Sequence, residues 1–497
     1  MNQTDLAFTP ALEQVQLIRR REVSPLELVE VYLERIQRLN VQLGSYFTVM
    51  AEQAIADAKA KTEHLAITKE TSELPPFFGV PISVKDLNPV AGVVCTYGSQ
   101  VLRETVATAD DGVVTRIKQA GFIILGKTAT PELGSLPYTE PPGFPPARNP
   151  WNLEYTPGGS SGGAAASVAA GMCAIAQGSD GGGSIRGPAA CCGLVGIKPS
   201  RGRVSYAPVG ERLSGMAAIG PLARTVADAA ALLDIMSGYV TGDPYWLPDP
   251  NPSFLAAATQ GNACGSSGTA VGTREPRPNR LESRAQAQKR SPLRIAFVTA
   301  LPPLGAAAPI CQQAVHQTVQ LLSELGHMVE EVDCLDLTDL IEPFTAVWQA
   351  SVAVAEIPEA LLQPMNRWLR SRTGSASDYL RAVAQLQVIA RRIVAIFDAV
   401  DVLILPTYMH QPLLVGEWAN LSPEETLEKI IHWIAPCPPF NASGQPAIAI
   451  PTGFDTNGLP ISVQLVGRPA AEATLIALAA QIEAAKPWNS KRPILAL

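Results

Sequence analysis

The chain has few charged residues and little of what builds metal or disulfide sites. Only 17% of its 497 residues are Asp, Glu, Lys or Arg, and it has five histidines and eight cysteines. The cysteines show no paired metal spacing, and Cys191 and Cys192 are adjacent, which suits buried thiols better than disulfide bonds. No HExxH or comparable ligand pattern appears. We therefore expect neither a metal ion nor another cofactor.

The sequence also lacks the features that direct a protein to nucleic acid or to a membrane. Its net charge is −7 and no basic stripe appears, which argues against nucleic acid as a partner. Its first residues show no basic and then apolar signal pattern. The longest uncharged stretch, 155–179, is built of Gly, Ala and Ser, so it predicts a buried core helix rather than a membrane span. These absences favour a cytoplasmic protein whose partner is a small molecule.

Glycine is concentrated in two loops that each contain a serine. Ser160 lies in GGSSGG and Ser184 lies in GGGSIRG, with an Ala-rich, uncharged segment between them. Because glycine loses the most conformational freedom on folding, such clusters indicate backbone with positive φ or close approach to a ligand. Several N–H groups aimed at one point can stabilise an oxyanion. The two loops therefore predict a nucleophilic serine, which needs a base.

A lysine at the end of a strand-like segment is the candidate base. The run FFGVPISVKDL has apolar residues at Val80, Ile82 and Val84 and then reaches Lys85. A lysine at a strand end is usually solvated. The two glycine-flanked serines that follow it along the chain favour a base instead, provided that burial keeps the amine uncharged.

These motifs resemble those of the amidase signature family. In that family GVPxxxKD carries the base lysine, PGGSSGG carries a bridging serine, and GSDxGGSIRxPAxxCGxxGxKP carries the nucleophile. The chain matches these motifs at Lys85, Ser160 and Ser184, and the resemblance extends from the N-terminal helices to GQPAIAIP near the end. It departs at Gly181, where the family usually has threonine, isoleucine or alanine.

The resemblance implies an amide hydrolase that cleaves a carboxylic amide to an acid and ammonia or an amine through a seryl acyl-enzyme. Ser184 would attack the carbonyl, Ser160 would relay its proton and Lys85 would accept it. The implied oxyanion hole consists of the N–H groups of Gly181, Gly182, Gly183 and Ser184, with Asp180 and Arg186 holding the loop in shape and Gly134 bordering the substrate. Ser161 is interpreted as structural. The oligomeric state stays open, with a homodimer as one option.

Short β-like runs alternate with helical patterns from Phe77 onward, which indicates an α/β domain. The resemblance implies a single large domain with a central mixed, mostly parallel sheet of about eleven strands covered by helices. Composition divides the chain into an N-terminal all-helical region (1–70), a signature core (71–255), a low-complexity insertion (256–292) and the remainder of the α/β domain (293–497). The insertion is almost free of large apolar residues, which predicts disorder.

Two motifs resemble unrelated sites. Residues 121–128 match the Walker A pattern, but 122–125 predict a β-strand whose N–H groups cannot hold a phosphate. Residues 158–162 fit the G-x-S-x-G elbow, a mechanism that needs a histidine after an acid late in the chain. None of the five histidines accounts for the second glycine loop or for Lys85.

Several alternatives stay open. The chain could be the ammonia-releasing component of a multi-subunit amidotransferase complex, although the insertion and the Trp-containing late helices replace the expected partner-facing region. An inactive binding protein is disfavoured by the intact Lys85, Ser160 and Ser184. The amide itself is open between aliphatic, aryl, indole-acetic and lactam types. The late aromatic residues Trp348, Trp368 and Tyr379 belong either to the core or to the walls of an acyl pocket.

Overall fold

The structure is a computed structural model that describes residues 2–262, 292–333 and 335–497. Its strands are β1 (Tyr46–Val49), β2 (Pro81–Lys85), β3 (Ile123–Thr128), β4 (Ile175–Asp180), β5 (Val195–Lys198), β6 (Ala218–Ala223), β7 (Arg294–Phe297), β8 (Ala300–Leu301), β9 (Gly305–Ala306), β10 (Met328–Glu331), β11 (Val402–Pro406), β12 (Ala447–Phe454) and β13 (Pro460–Gly467). Eleven of them form one sheet in the order β1-β3-β2-β4-β6-β5-β12-β13-β11-β7-β10, and β8 pairs with β9 separately.

Helices pack around this sheet. They are α1 (Gln3–Phe8), α2 (Ala11–Arg19), α3 (Pro25–Leu43), α4 (Ala51–Ile67), α5 (Gly112–Gln119), α6 (Gly162–Ala169), α7 (Arg186–Cys192), α8 (Val226–Met236), α9 (Phe254–Asn262), α10 (Pro309–Glu324), α11 (Ile341–Ala353), α12 (Pro364–Ser371), α13 (Ala376–Ala395), α14 (Pro423–Ile434), α15 (Pro438–Ala442) and α16 (Glu472–Ala485). Helix α3 begins where the sequence signals it, with a capping box between Ser24 and Glu27 and proline at the first helical position.

The sheet is mixed, which confirms the predicted α/β architecture. Parallel pairings join β2 to both β3 and β4, and a second parallel group joins β7 to β10 and β11. Antiparallel pairings connect the two groups through β6, β5, β12 and β13, and β1 pairs antiparallel with β3 at one edge. The unit β7-α10-β10 is the β-α-β arrangement that parallel neighbours require.

Strands β2 and β4 place the candidate site. They run parallel as neighbours, with Val84 opposite Gln177, so their carboxyl ends lie at the same edge of the sheet. Lys85 is the last residue of β2 and Asp180 is the last residue of β4. In open α/β sheets ligands bind outside the carboxyl ends of the strands. The fold thus brings Lys85 next to the second glycine loop.

The Ala-rich stretch that the sequence assigns to the core is buried. Every residue of α6 is buried, and β4 follows it as a strand of the same sheet. Small side chains let this helix lie close to β2, β3 and β4, which it contacts along one side. Across the described ranges, no helix combines the length and the apolar character needed to cross a bilayer.

The N-terminal region is not all-helical, contrary to expectation. Residues 46–49 form β1, which extends the sheet beyond β3 through the pairs Tyr46–Thr128 and Val49–Gly126. The sequence YFTV is aromatic and β-branched, which suits a strand. Four residues between two helices are too few to show an alternating pattern, so the sequence reading missed the strand.

The predicted insertion also begins too early. Residues 256–262 belong to α9, which packs against α8 and α16. Ala257 and Ala258 are fully buried there. Composition suggested low complexity, but alanine is the strongest helix former and its small side chain suits a close helix contact. Residues 263–291 of the predicted insertion lie outside the described residues.

Substitution in α9 tests whether this helix belongs to the core. Ala257→Glu should lower the free energy of unfolding by about 3 kcal/mol, because it buries an unpaired carboxylate. Thr259→Glu, at an exposed position of the same helix, is the matched control and should change stability by less than about 0.5 kcal/mol. Urea unfolding monitored by circular dichroism measures both. Equal stability of the two variants would show that α9 does not pack as described.

Candidate active site

The Lys85 side chain is fully buried, and three serine hydroxyls surround its amine. Nζ lies 2.7 Å from Ser160 Oγ, 2.9 Å from Ser161 Oγ and 3.1 Å from Ser179 Oγ. Burial lowers the pKa of Lys85 well below its ordinary value, Asp180 acts in the opposite direction, and Arg212 adds to the lowering. The site therefore favours a neutral amine that can exchange protons with a hydroxyl.

Main-chain contacts hold the two glycine loops together. Ser160 lies just before α6, after a cis peptide bond from Gly159. The next residue, Ser161, donates its N–H to Ser184 O at 3.2 Å. Both Ser160 and Ser184 line one cavity as a result. The structure thus brings Lys85, Ser160 and Ser184 into one site.

The hydroxyls of Ser160 and Ser184 share this cavity, but in the described part of the chain no hydrogen bond joins them. Ser184 keeps 8% of its surface exposed, so its hydroxyl is accessible from the cavity. Catalytic hydrogen bonds often become short only when substrate is in place. The Lys85 amine therefore forms a hydrogen bond with Ser160, whereas Ser160 and Ser184 line the same cavity without a hydrogen bond between their hydroxyls among the described residues.

A buried ion pair shapes the loop that carries Ser184. Arg186 Nε and Nη2 donate to the Asp180 carboxylate at 3.0 and 2.9 Å, and both side chains are fully buried. Gly183 N and Ile185 N donate to the same carboxylate at 2.7 and 3.1 Å. Burial opposes ionisation of Asp180, but the charge and hydrogen bonds of Arg186 hold its pKa below the usual range. The loop is wrapped around one carboxylate.

Two residues far along the chain anchor this ion pair. Arg186 Nη2 donates to Asn441 Oδ1 at 2.6 Å, and Nη1 donates to Gln464 Oε1 at 3.1 Å. Asn441 Nδ2 in turn donates to the backbone oxygen of Asp180 at 3.0 Å. Sequence reasoning missed both amides because they lie 255 and 278 residues from Arg186 and carry no motif of their own.

The Gly183 N–H was expected to contribute to the oxyanion hole, but the structure gives it another partner. It donates to Asp180, so it does not point freely at the position of an oxyanion. Gly183 has φ +120°, and a Cβ there would lie 2.8 Å from Cys437 Cβ, so the turn requires glycine. Among the described residues, the N–H groups of Gly181, Gly182 and Ser184 have no hydrogen-bond partner within the protein.

Gly181, where the chain departs from the family pattern, leaves space that neighbouring side chains fill. A Cβ at this position would lie 2.6 Å from Leu213 Cδ1 and 3.3 Å from Trp348 Cζ3. A larger residue would therefore require Leu213 to move. The glycine and the leucine form a matched pair in the packing of the loop.

Three further residues border the site. Gly134 lies beside the bridging serine, since a Cβ there would be 3.3 Å from Ser160 Oγ. Ser161 was interpreted as structural, and its Oγ does donate to Ser179 O at 3.2 Å, but it also contacts the Lys85 amine. Sequence reasoning missed Ser179. Its signal is its place in the GSD motif, directly before Asp180.

Two cavities meet at Ser184. The apolar cavity, of about 80 Å³, is lined mainly by aliphatic and aromatic side chains from 337–348, 365–369 and 427–435. The polar cavity, of about 760 Å³, is lined by Ser160 and by the polar residues Tyr206, Glu211 and Arg212 among others. Together they give a substrate two directions in which to extend from the nucleophile.

Trp348 separates these cavities. It lines both, and its Nε1 donates to Ser135 O at 3.2 Å. Tyr379 lines the polar cavity. Trp368 instead donates from Nε1 to Glu424 Oε1 at 2.7 Å at the surface. Of the three late aromatics, Trp348 and Tyr379 are thus walls of the site.

The Walker A match lies on β3 and has a different role. Lys127 Nζ donates to Asp86 Oδ1 at 2.8 Å, and both side chains are fully buried. This lysine is not available to a phosphate, as the strand prediction for 122–125 implied. In the described ranges no group of three or more His, Cys, Asp and Glu residues is placed to hold a metal ion.

Comparisons with known proteins point to one family. The Amidase family model matches residues 27–476. A Synechocystis sp. protein named "Putative amidase" is 52% identical over 491 residues, covering 99% of this chain and 91% of the relative. The 6-aminohexanoate-cyclic-dimer hydrolase of Paenarthrobacter ureafaciens is 32% identical over 527 residues, covering 100% and 98%. A solved structure of 6-aminohexanoate cyclic dimer hydrolase complexed with substrate superimposes with a TM-score of 0.86 at 30% identity, covering 99% and 100%.

The pairing of Gly181 with Leu213 predicts a rescue. Gly181→Ala should lower kcat/KM about tenfold, because the new methyl group displaces Leu213 and the loop that carries Ser184. Adding Leu213→Ala should restore most of this loss by freeing the space. The experiment compares kcat/KM of the two single variants and the double variant on one amide. A double variant no better than Gly181→Ala would contradict the packing explanation.

Proposed function

We propose a catalytic route for this chain, which belongs to the amidase family and is an amide-cleaving hydrolase. One observation supports the route above all: the buried Lys85 amine, whose pKa burial lowers, lies 2.7 Å from Ser160 Oγ. A neutral lysine in this position is a general base for a serine. In this route Lys85, Ser160 and Ser184 are the catalytic residues.

Acylation begins when Ser184 Oγ attacks the carbonyl carbon of the amide. The Ser184 proton passes to Ser160 while the Ser160 proton passes to Lys85 Nζ. Ser160 then gives a proton to the leaving nitrogen and recovers one from Lys85, and the C–N bond breaks. The products of this half-reaction are ammonia or an amine and an ester of Ser184.

Deacylation repeats the relay with water as the nucleophile. Water gives its proton to Ser160 as it attacks the ester, and the proton returns to Ser184 Oγ when the C–O bond breaks. The carboxylic acid leaves and the three residues regain their first protonation states. One amide and one water thus give one acid and one amine.

The negative charge that develops on the carbonyl oxygen needs donors aimed at it. The N–H groups of Gly181, Gly182 and Ser184 are the donors in this route, since they have no partner among the described residues. Gly183 supplies the turn and binds Asp180, and the Asp180–Arg186 pair is positioning machinery.

The proposal also covers the cellular compartment and the partners of the enzyme. We place it in the cytoplasm, a reducing compartment, which is supported by the six cysteines that the structure describes, all free and buried. Its partner is a small-molecule amide. A homodimer stays a prediction.

Replacement of Ser184 tests the nucleophile. Ser184→Ala should lower kcat/KM by at least about 10³-fold, because the acyl-enzyme cannot form. Ser167→Ala is the matched control, since Ser167 is a fully buried serine of α6 whose hydroxyl donates to Ala164 O at 2.8 Å and lies 3.3 Å from Cys173 Sγ. It should keep most of the activity. The assay is amine release from a panel of aliphatic, aryl, indole-acetic and lactam amides. Substantial turnover by Ser184→Ala would overturn the assignment.

The pH profile tests the base. Because only the neutral amine accepts a proton, kcat/KM should rise with pH through the lowered pKa of Lys85 and stay high at alkaline pH. Lys85→Ala should lower kcat by about 10²- to 10⁴-fold and flatten this rise. Single replacements of the five histidines serve as controls and should leave a substantial fraction of the rate. A histidine variant that is inactive while Lys85→Ala is active would disprove the route.

A further inference from the structure

We infer that the substrate joins an apolar acyl group to an amine portion that carries a carboxylate. The acyl group lies in the apolar cavity, and the carboxylate binds Arg212 and Tyr206 in the polar cavity. This inference rests on the proposed function, because it uses Ser184 as the nucleophile and Ser160 as the donor to the leaving nitrogen.

The proton relay decides which cavity receives which half of the substrate. Ser184 lines both cavities, so the carbonyl carbon lies where they meet. Ser160 and Gly134 line the polar cavity and are absent from the lining of the apolar one. Since Ser160 must reach the leaving nitrogen, the amine portion extends into the polar cavity. The acyl group therefore lies in the apolar cavity.

The apolar cavity suits an extended hydrocarbon group. Among the described residues that line it there is no Asp, Glu, Lys, Arg or His, and leucines and isoleucines such as Leu340 and Ile431 predominate. Hydrocarbon that leaves water for this cavity gains the free energy of apolar burial.

The polar cavity is lined by two side chains whose hydrogen-bond donors have no acceptor among the described residues. In the part of the chain that the structure describes, the guanidinium of Arg212 forms no ion pair and no hydrogen bond, although its backbone oxygen accepts from Gly215 N. Tyr206 is 4% exposed, and its hydroxyl is buried without a partner. Buried polar groups nearly always have a partner, so the phenol of Tyr206 is available to a ligand in the polar cavity, as the unpaired phenol of Tyr408 is in the apolar cavity.

Arg212 and Tyr206 can serve one acceptor. Burial raises the pKa of Tyr206 and lowers that of Lys85, and the charge of Arg212, which lines the same cavity as Tyr206, opposes the first shift and adds to the second. A carboxylate is the acceptor that matches a guanidinium fork and can also accept from a hydroxyl.

Glu211 lines the same cavity and, after burial, contributes to the raised pKa of Tyr206, but among the described residues it forms no ion pair with Arg212. Burial raises the pKa of its carboxyl, and the charges that act on it are those of Asp243 and Arg201. Arg212 is not among them. The positive charge of Arg212 is therefore left for a ligand.

Two amides of equal shape test the carboxylate subsite. N-hexanoylglycine and N-isobutylhexanamide share the acyl group and differ in whether the amine portion ends in a carboxylate or in two methyl groups. The wild-type enzyme should prefer N-hexanoylglycine by about tenfold or more in kcat/KM. Arg212→Gln should bring this ratio close to one, mainly by raising KM for the glycine conjugate, and Tyr206→Phe should reduce it partly.

The ratio of the two substrates isolates binding from chemistry. Arg212 also influences the pKa of Lys85, but that effect applies to both amides and cancels in the ratio. Arg38→Gln, an exposed arginine outside both cavities, is the matched control and should leave the ratio unchanged. An Arg212→Gln variant that keeps the wild-type ratio would overturn the subsite.

A second pair of substrates tests the acyl side. Leu340→Trp should fill part of the apolar cavity and lower kcat/KM for N-hexanoylglycine about tenfold, while N-acetylglycine should be affected little. Equal losses on both amides would contradict the placement of the acyl group.

The outcomes separate this inference from the proposed function. If the enzyme hydrolyses both hexanoyl amides equally and Ser184→Ala abolishes both reactions, the inference fails and the catalytic route stands. If the enzyme hydrolyses other amides of the panel but not N-hexanoylglycine, the inference also fails and the catalytic route stands. If Ser184→Ala keeps its activity on every amide, the catalytic route itself fails.

Discussion

The ion pair between Asp180 and Arg186 is the interaction on which the rest of the site depends. Removing two charges from water costs several kcal/mol for each ion, so both must be fully satisfied inside the protein. The carboxylate accepts two backbone N–H groups of the loop, and the guanidinium reaches Asn441 and Gln464. Satisfying one buried charge therefore determines the path of the loop that presents Ser184.

The same pair makes an uncharged Lys85 compatible with a carboxylate nearby. Asp180 alone would favour the ammonium form of Lys85, and a protonated lysine cannot act as a base. Burial outweighs this effect and Arg212 adds to the lowering of the lysine pKa, while Arg186 forms the ion pair that satisfies the charge of Asp180. The two basic side chains of the site therefore differ in charge. Arg186 is charged and paired with Asp180, whereas burial lowers the pKa of Lys85 and favours its neutral form.

Local motifs were readable from the sequence, and distant contacts were not. Lys85, Ser160 and Ser184 stand in short glycine-rich or strand-end patterns, and the α/β sheet follows from alternating elements. The role of Asn441 could not be read, because an asparagine in the short helix α15 carries no signal of the arginine it contacts. The strand β1 was too short for its periodicity to show. In α9, alanine-rich composition looked like low complexity although alanine favours helix.

The distance in sequence between Arg186 and its partners has a consequence for folding order. Asn441 and Gln464 come 255 and 278 residues after Arg186, so the loop around Asp180 cannot be completed until β13 has been synthesised. Contacts between such distant residues form slowly, because the entropy of closing a long loop is lost before they stabilise the chain. An N-terminal portion of the nascent chain already contains Lys85, Ser160 and Ser184. It nevertheless lacks the amides that anchor the Asp180–Arg186 pair, so the loop that carries Ser184 is complete only once β13 has formed.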